Sequence, residues 1–438
     1  MRDQGPGGAR QFVRHCYRHH VLRTTLEHFA HPWRVSALRQ YRVRSTDEQG
    51  AQIRIAFTGT LQSADSVTGS WTDITNAANP YVVDFSAGNK FFRARDLASI
   101  FSSEAIVSFT VDGPLQQHFD LAYAGMPDGI FPPIREKPYF DGTITMGAQE
   151  IPVSLRVRGN SSLQECPFPK MKFKVSRADR AGTPFFDARE VKIGTHCAEG
   201  GQGPIGRLRD ERATYREALA YECMNILEFV SPRVRRARIE YRDTSAPGQS
   251  EVGWMVQRNA VILDDIEVVA ERLGGRALDD EEITVLTNAN FDLQLVTELE
   301  FLHILLGNWD YALATNGVGL WNTEVIELPN LKLVPVAGDF DLCSFVTGEL
   351  QLDVPWDYRP ALPPHERQAR YDLEQIRARL GEVNPTIFPN AKARFESKRT
   401  ALEAKVDAAV LDEPGRTNAL LHVTAFFTSL SAIDAPRD

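Results

Sequence analysis

Four polar residues follow two predicted buried elements, at the points where those elements end. Asp310 and Asn316 lie in the segment NWDYALATN, directly after the apolar run DLQLVTELEFLHILLG. Asp339 and Asp341 lie in GDFD, directly after the apolar run LKLVPVA. Carboxylate and amide oxygens are ligands for hard cations such as Mg²⁺, and a carboxylate next to a hydroxyl can act as a general base. These residues therefore predict a metal-assisted group-transfer site.

Cationic residues that could bind phosphate precede this acidic set. The lysines Lys170, Lys172 and Lys174 alternate with Met171, Phe173 and Val175, so they share one face of a predicted strand. The strand follows Arg158, Gly159, Asn160 and Ser161, which read as a turn. On its own, a lysine face is most often a solvated strand edge, whereas its place after RGNSS favours a phosphate site.

The order of these groups along the chain is informative. A strand Lys, then the helical Glu217, then Asp310 with Asn316, then Asp339 follows the order of parts in protein kinases. The step from Asp310 to Asn316 is one residue longer than in the H-R-D-x-x-x-x-N loop, and the chain has no HRD or DFG motif. GDFD also fits the D-x-D metal motif of a glycosyltransferase, so two enzyme classes remain open.

The elements that must position these residues form an α+β pattern. Short β-prone runs with turn-rich spacers occupy residues 49–112, which predicts a small β-sandwich-like module. Residues 113–140 read as a linker, and residues 141–438 as the main domain. Within that domain we predict alternating strands near residues 151–157 and 170–175, an amphipathic helix at residues 208–229 and a hairpin at residues 235–257. A buried helix at residues 292–307 and a helical C-terminal extension complete the prediction.

Composition narrows the class of protein further. A hydrophobic content of 43% and a charged content of 24% are ordinary for a globular protein. The net charge of −9 conceals a basic segment, residues 1–48, which we interpret as a flexible tail rather than a nucleic-acid arm. We expect neither a signal peptide nor a transmembrane segment. Five cysteines without a CxxC pair argue against structural zinc, and a Cys166–Cys197 bridge stays open.

Several motifs together resemble the spore coat protein H (CotH) family of bacterial atypical kinases. They are RGNSS, PKMKFKV, RATYREALAYEC, GNWDYALATN and PVAGDFDLCSF, and they span roughly residues 151–350. The resemblance implies an atypical protein-kinase-like fold that uses ATP with Mg²⁺ or Mn²⁺ to phosphorylate Ser or Thr hydroxyls of partner proteins. It also implies a family whose members are often exported or carried on the spore or cell surface.

The resemblance assigns a role to each candidate residue. Asp310 would be the catalytic base, and Asn316, Asp339 and Asp341 would lie at the metal. The phosphate-side residues would be Arg158, Asn160 and Ser161, with Lys170 or Lys174 contacting phosphate and pairing with Glu217. Gln257 and Arg258 stand where the family has an acidic residue at the end of the hairpin. A catalytically inactive scaffold of the same fold is therefore the alternative from a different class.

Overall fold

The computed structural model describes most of the chain from residue 98 onward and short parts of the region before it. The described residues are 54–55, 60–64, 72–74, 77, 81–82, 91–95, 98–124, 137–159, 163, 168–195, 208, 210–245, 253–313 and 320–433. Several predictions fall outside these ranges, namely the basic segment, the proposed cysteine bridge, and the roles of Asn160, Ser161 and Asn316.

Short strands form two small sheets at the start of the described chain. One sheet pairs β1 with β4, and the other has the order β3-β2-β5. Their bounds are Arg54–Ile55 (β1), Thr60–Ala64 (β2), Thr72–Asp73 (β3), Tyr81–Val82 (β4) and Phe91–Arg95 (β5). The predicted β character of this region is confirmed, but these described pieces do not make up a β-sandwich.

A closed barrel of seven strands follows. Going around it, the order is β10-β12-β11-β6-β7-β8-β9. The bounds are Val107–Gly113 (β6), Phe140–Met146 (β7), Gln149–Val157 (β8), Met171–Lys174 (β9), Glu190–Gly194 (β10), Val234–Asp243 (β11) and Met255–Asp264 (β12). In β8, Ile151, Val153, Leu155 and Val157 are all buried, as their alternation predicts. These side chains help to fill the barrel interior.

The barrel crosses the predicted domain boundaries. Strand β6 pairs in parallel with β11, with Val107 opposite Ala237, and antiparallel with β7, with Val111 opposite Ile144. Helix α1 (Leu115–Ala124) follows directly and buries Leu115 and Phe119. Residues 107–113 therefore belong to the barrel rather than to the β module, and residues 115–124 are a packed helix rather than a linker.

The hairpin strand β12 extends seven residues beyond its predicted end at Gln257. It ends at Asp264, and the next residue, Asp265, caps the helix Ile266–Arg272 by accepting a hydrogen bond from the backbone N–H of Glu267. The acidic residues at the end of this strand are thus Asp264 and Asp265, and Gln257 lies within the strand. Placing the strand end at Gln257 was wrong because residues 258–263 continue the ladder with β11.

The rest of the chain is mainly helical. The helices are Ala213–Ile226 (α2), Ile266–Arg272 (α3), Asp280–Thr284 (α4), Leu293–Leu306 (α5), Ser344–Thr347 (α6), Pro364–Val383 (α7), Ile387–Ala408 (α8) and Glu413–Ala432 (α9). A three-stranded sheet of Arg276–Ala277 (β13), Thr323–Glu327 (β14) and Leu333–Ala337 (β15) lies among them. No helix in the described ranges is long and apolar enough to cross a membrane.

Two helices position the site, and both are buried. Helix α5 is apolar nearly all round, as predicted, and ends where Gly307 adopts the left-handed conformation at φ 54°. Helix α2 packs against β11 and β12 on one side and against α8 on the other. Almost all of its residues are consequently buried, including Glu217, and the single apolar face expected from the sequence is too simple a description.

Candidate functional site

A cavity of about 340 Å³ lies where the barrel meets the helical part of the chain. Its apolar lining includes Leu263, Ile266, Ile283 and Val336. Its polar lining includes Arg158, Lys192, Glu217, Asn322 and Asp339. A pocket with one apolar region and a few convergent charged groups is the usual form of a small-molecule site.

Lys170 holds the two aspartates of GDFD together. Its ammonium Nζ lies 3.1 Å from Asp339 Oδ1 and 2.8 Å from Asp341 Oδ2, and the lysine is only 4% exposed. Burial by itself lowers the pKa of Lys170, but the two carboxylates outweigh this and hold the pKa above its ordinary value. The lysine therefore stays charged.

A tight turn after β15 places the two aspartates. Asp339 has φ 54° and ψ 60°, the left-handed region that Asp tolerates better than most residues. Its backbone N–H donates to the Tyr221 hydroxyl at 3.0 Å, which ties the turn to helix α2. Burial raises the pKa of Asp339, but Lys170 and Arg158 lower it by more, so its pKa falls below the ordinary value. This carboxylate is ionised at neutral pH.

Glu217 lacks the lysine that the sequence prediction gave it. Among the described residues it forms no ion pair, because Lys170 bonds Asp339 and Asp341 instead. Burial, followed by repulsion from Asp341, raises the pKa of Glu217 to about 8. Acidic side chains thus outnumber basic ones at the polar end of the cavity, and Glu217 is protonated at neutral pH as a result.

Asp310 is held by donors on both of its carboxylate oxygens. Trp321 Nε1 donates to Oδ1 at 2.8 Å, and Asn322 Nδ2 donates to Oδ2 at 3.0 Å. Burial raises the pKa of Asp310 above its ordinary value, while the Trp321 hydrogen bond lowers it. Repulsion from Asp339 and Asp341 also raises this pKa, which brings Asp310 and the two aspartates of GDFD into one electrostatic site.

The other predicted phosphate-side residues are placed differently from one another. Arg158 lines the cavity, and its buried Nε has no hydrogen-bond partner among the described residues. Lys174 is 45% exposed, and its ammonium lies 3.4 Å from Glu190 and 4.5 Å from the ring centre of Tyr139. Because Lys174 follows Lys170 by four residues on an extended strand, roughly 13 Å separates them along the strand. Lys170, and not Lys174, reaches Asp339 and Asp341.

Residues that the sequence reasoning missed complete the site. Trp321 and Asn322 bind Asp310, Tyr221 holds the turn at Asp339, and Lys192 lines the cavity with its Nζ 2.6 Å from Glu324. Lys192 was detectable, since it alternates with the apolar Val191 and Ile193 in a strand. Trp321 and Asn322 had no comparable signal, because only the folded chain brings them to Asp310.

The donor set suits a divalent cation in chemistry and charge. Carboxylates are the protein ligands that Mg²⁺ prefers, and Asp339 and Asp341 converge within hydrogen-bonding distance of one cation, the Lys170 ammonium. Within the described ranges, no group of three or more His, Cys, Asp and Glu residues is arranged to hold a metal ion. The aspartates therefore fit a metal held partly by other ligands, such as phosphate oxygens.

Comparison with known proteins gives only remote similarity. No family model matches the chain, and no curated protein matches it in sequence. The proinflammatory kinase CtkA of Helicobacter pylori is 9% identical with a TM-score of 0.30, covering 60% of this chain and 92% of that one. The complex of HipA, HipB and operator DNA from Shewanella oneidensis MR-1 is 10% identical with a TM-score of 0.28, covering 57% and 61%. At these TM-scores neither similarity carries an argument.

Proposed function

We propose that this chain is an atypical protein kinase that transfers the γ-phosphate of ATP, bound with Mg²⁺ or Mn²⁺, to Ser or Thr hydroxyls of partner proteins. One observation carries the proposal. Titratable side chains from four separate segments meet beside one cavity: Glu217 and Asp339 line it, Lys170 bonds Asp339 and Asp341, and both aspartates act electrostatically on Asp310. Phosphoryl transfer requires a cation clamp, metal-binding carboxylates and a carboxylate near the acceptor hydroxyl.

Each residue has a role that follows from its surroundings. The apolar lining at Leu263, Ile266 and Val336 suits a nucleotide base. Arg158, whose buried Nε has no hydrogen-bond partner among the residues that the structure describes, and Lys170 would supply positive charge for phosphate oxygens. Asp339 and Asp341 would hold the metal, which when bound would neutralise charge on the phosphates. Asn316, Asn160 and Ser161 remain proposed members of this site by sequence alone.

Asp310 is the proposed base for the acceptor hydroxyl. Its two hydrogen bonds from Trp321 and Asn322 fix the plane of the carboxylate. A carboxylate offers about four lone-pair positions, so capacity remains for accepting a hydrogen bond from a serine or threonine hydroxyl. The residue would orient that hydroxyl and receive its proton as the oxygen bonds to the γ-phosphorus and the bond between that phosphorus and the bridging oxygen breaks, which releases ADP.

The test is incorporation of labelled γ-phosphate from ATP into the protein and into a generic protein acceptor, with Mg²⁺ or Mn²⁺. We expect Asp310→Ala and Asp339→Ala each to lower incorporation by at least about 100-fold. Asp407→Ala, an exposed aspartate on helix α8, is the matched control and should retain incorporation. Activity that survives both site substitutions would exclude the proposal.

Measurements on the same purified protein distinguish two alternatives from the kinase. An inactive scaffold is favoured by the Lys170 ammonium, which bonds both proposed metal ligands, while Glu217 forms no ion pair within the described part of the chain. Folded wild type that neither incorporates phosphate nor gains thermal stability from ATP with either metal would support the scaffold. A glycosyltransferase of the D-x-D type would instead be stabilised by a nucleotide sugar with Mn²⁺.

A further inference from the structure

The indole of Trp321 links the two halves of the proposed site. It lines the cavity and also donates its N–H to Asp310 Oδ1 at 2.8 Å. The neighbouring Asn322 donates to the other carboxylate oxygen, and to the backbone carbonyl of Asp310 at 2.7 Å. Asp310 is thus fixed from one side by two consecutive residues that follow it by more than ten positions.

The backbone holds this pair in place. Trp321 and Ala312 form an isolated antiparallel bridge with two hydrogen bonds of 3.0 and 3.1 Å. The Asn322 carbonyl accepts a hydrogen bond of 3.0 Å from the N–H of Gly338, immediately before Asp339. Both the segment after Asp310 and the turn before Asp339 are therefore tied to residues 321–322.

A second chain of hydrogen bonds supports Asp310 from helix α5. The Asp310 backbone N–H donates to Asn308 Oδ1 at 3.1 Å, which orients that amide so that its Nδ2 donates to His303 Nδ1 at 3.0 Å. His303 is fully buried and stacks on Tyr311 with 3.6 Å between ring centres. The backbone of Asp310 is anchored to the core, and Trp321 and Asn322 anchor its carboxylate.

We propose that Trp321 is a positioning residue for Asp310, whose indole N–H fixes the carboxylate towards the acceptor hydroxyl while its ring forms part of the nucleotide cavity wall. This proposal rests on the proposed function, and it adds a residue that the kinase order of parts does not contain. A hydrogen bond to a charged carboxylate is stronger than one between neutral groups. Loss of the Trp321 hydrogen bond should lower turnover more than it weakens nucleotide binding, because the proposed partner of Asp310 is the acceptor hydroxyl and not the nucleotide.

Trp309 offers a matched control for Trp321. The two residues are 44% and 45% exposed, and Trp309 immediately precedes Asp310. Within the described ranges, only Trp321 of the two forms a hydrogen bond to the Asp310 carboxylate. We expect Trp321→Phe to lower kcat about 10- to 100-fold with less than about a threefold change in KM for ATP. Trp309→Phe should keep kcat within about threefold of wild type.

An indole NMR measurement tests the contact without turnover. In protein labelled with ¹⁵N at tryptophan, the indole signal absent from Trp321→Phe identifies Trp321. We expect that signal to move when Asp310 is changed to Asn, while the signal absent from Trp309→Phe stays in place. An unmoved Trp321 signal, or equal kcat in the two Phe variants, would overturn the positioning role. Absence of turnover in wild type would refute the proposed kinase activity, and the NMR result alone would then decide the role of Trp321.

Discussion

Replacing Glu217 by Gln should stabilise the protein, and by an amount that grows with pH. The pKa of Glu217 is raised from 4.5 to about 8 by burial and by nearby aspartates. Below pH 4.5 the carboxyl group is protonated in both the folded and the unfolded protein, so it does not make the free energy of unfolding depend on pH. Between pH 4.5 and 8 only the unfolded chain ionises, and the free energy of unfolding of wild type falls. At about 1.36 kcal/mol per pH unit, the loss reaches at most about 5 kcal/mol at pH 8.

Urea unfolding at pH 5, 6, 7 and 8, with wild type and Glu217→Gln side by side, measures this difference. The advantage of the variant should be small at pH 5 and rise by roughly 1 kcal/mol per pH unit. Glu222→Gln is the matched control, since Glu222 is on the same helix and equally buried but bonds Arg236 and Lys405. That change should destabilise the protein by a few kcal/mol. A Glu217→Gln advantage that is constant from pH 5 to 8 would refute the reasoning.

Two further predictions concern the neighbours of the site. Lys170→Met should lower the free energy of unfolding at pH 7 by about 3 kcal/mol, because Asp339 and Asp341 lose their buried cation. Lys174 is half-exposed, so Lys174→Met should lower it by less than about 1 kcal/mol. Equal losses for the two variants in urea unfolding would contradict the placement of the two lysines. Gly307→Ala should cost about 2–4 kcal/mol, because its φ is +54° and the new Cβ would lie 2.7 Å from His422 Cε1. At Gly182, φ is +79° and an added Cβ would have no atom within 4 Å, so Gly182→Ala should lower the free energy of unfolding by only about 1 kcal/mol. Equal shifts in melting temperature for the two variants would rule out the steric clash with His422.

Sequence periodicity was enough to predict an element where the environment of that element is the same along its length. Apolar and polar residues alternate in strand β8 because one of its faces fills the barrel, and α5 is apolar nearly all round because most of its residues are buried. Both were predictable from residue types alone. The end of β12 was not, since Gln257 and Arg258 are polar enough to suggest an end, whereas the strand is set by pairing with β11.

The sequence predicted that certain residues would come together, but it did not predict their contacts. Glu217 and Asp339 line one cavity, Lys170 bonds Asp339 and Asp341, and both aspartates act electrostatically on Asp310, whereas the roles of these residues stay predictions. The partner of Lys170 differs from the prediction, because strand and helix positions fix which segments meet but not which side chains bond. The donors to Asp310 were invisible for a related reason, since a tryptophan and an asparagine in a loop carry no motif.

The parallel pairing of β6 with β11 has a consequence for how the chain folds. The two strands are about 130 residues apart, with Val107 opposite Ala237, and β6 lies between β11 and β7 in the barrel. Closing such a distant pair carries a large entropy cost, which slows folding. On the ribosome, β6 cannot pair with β11 until β11 has emerged, and the barrel cannot close until β12 has followed it. A fragment beginning at residue 141 would expose the unpaired edges of β7 and β11, and exposed edges of this kind promote aggregation.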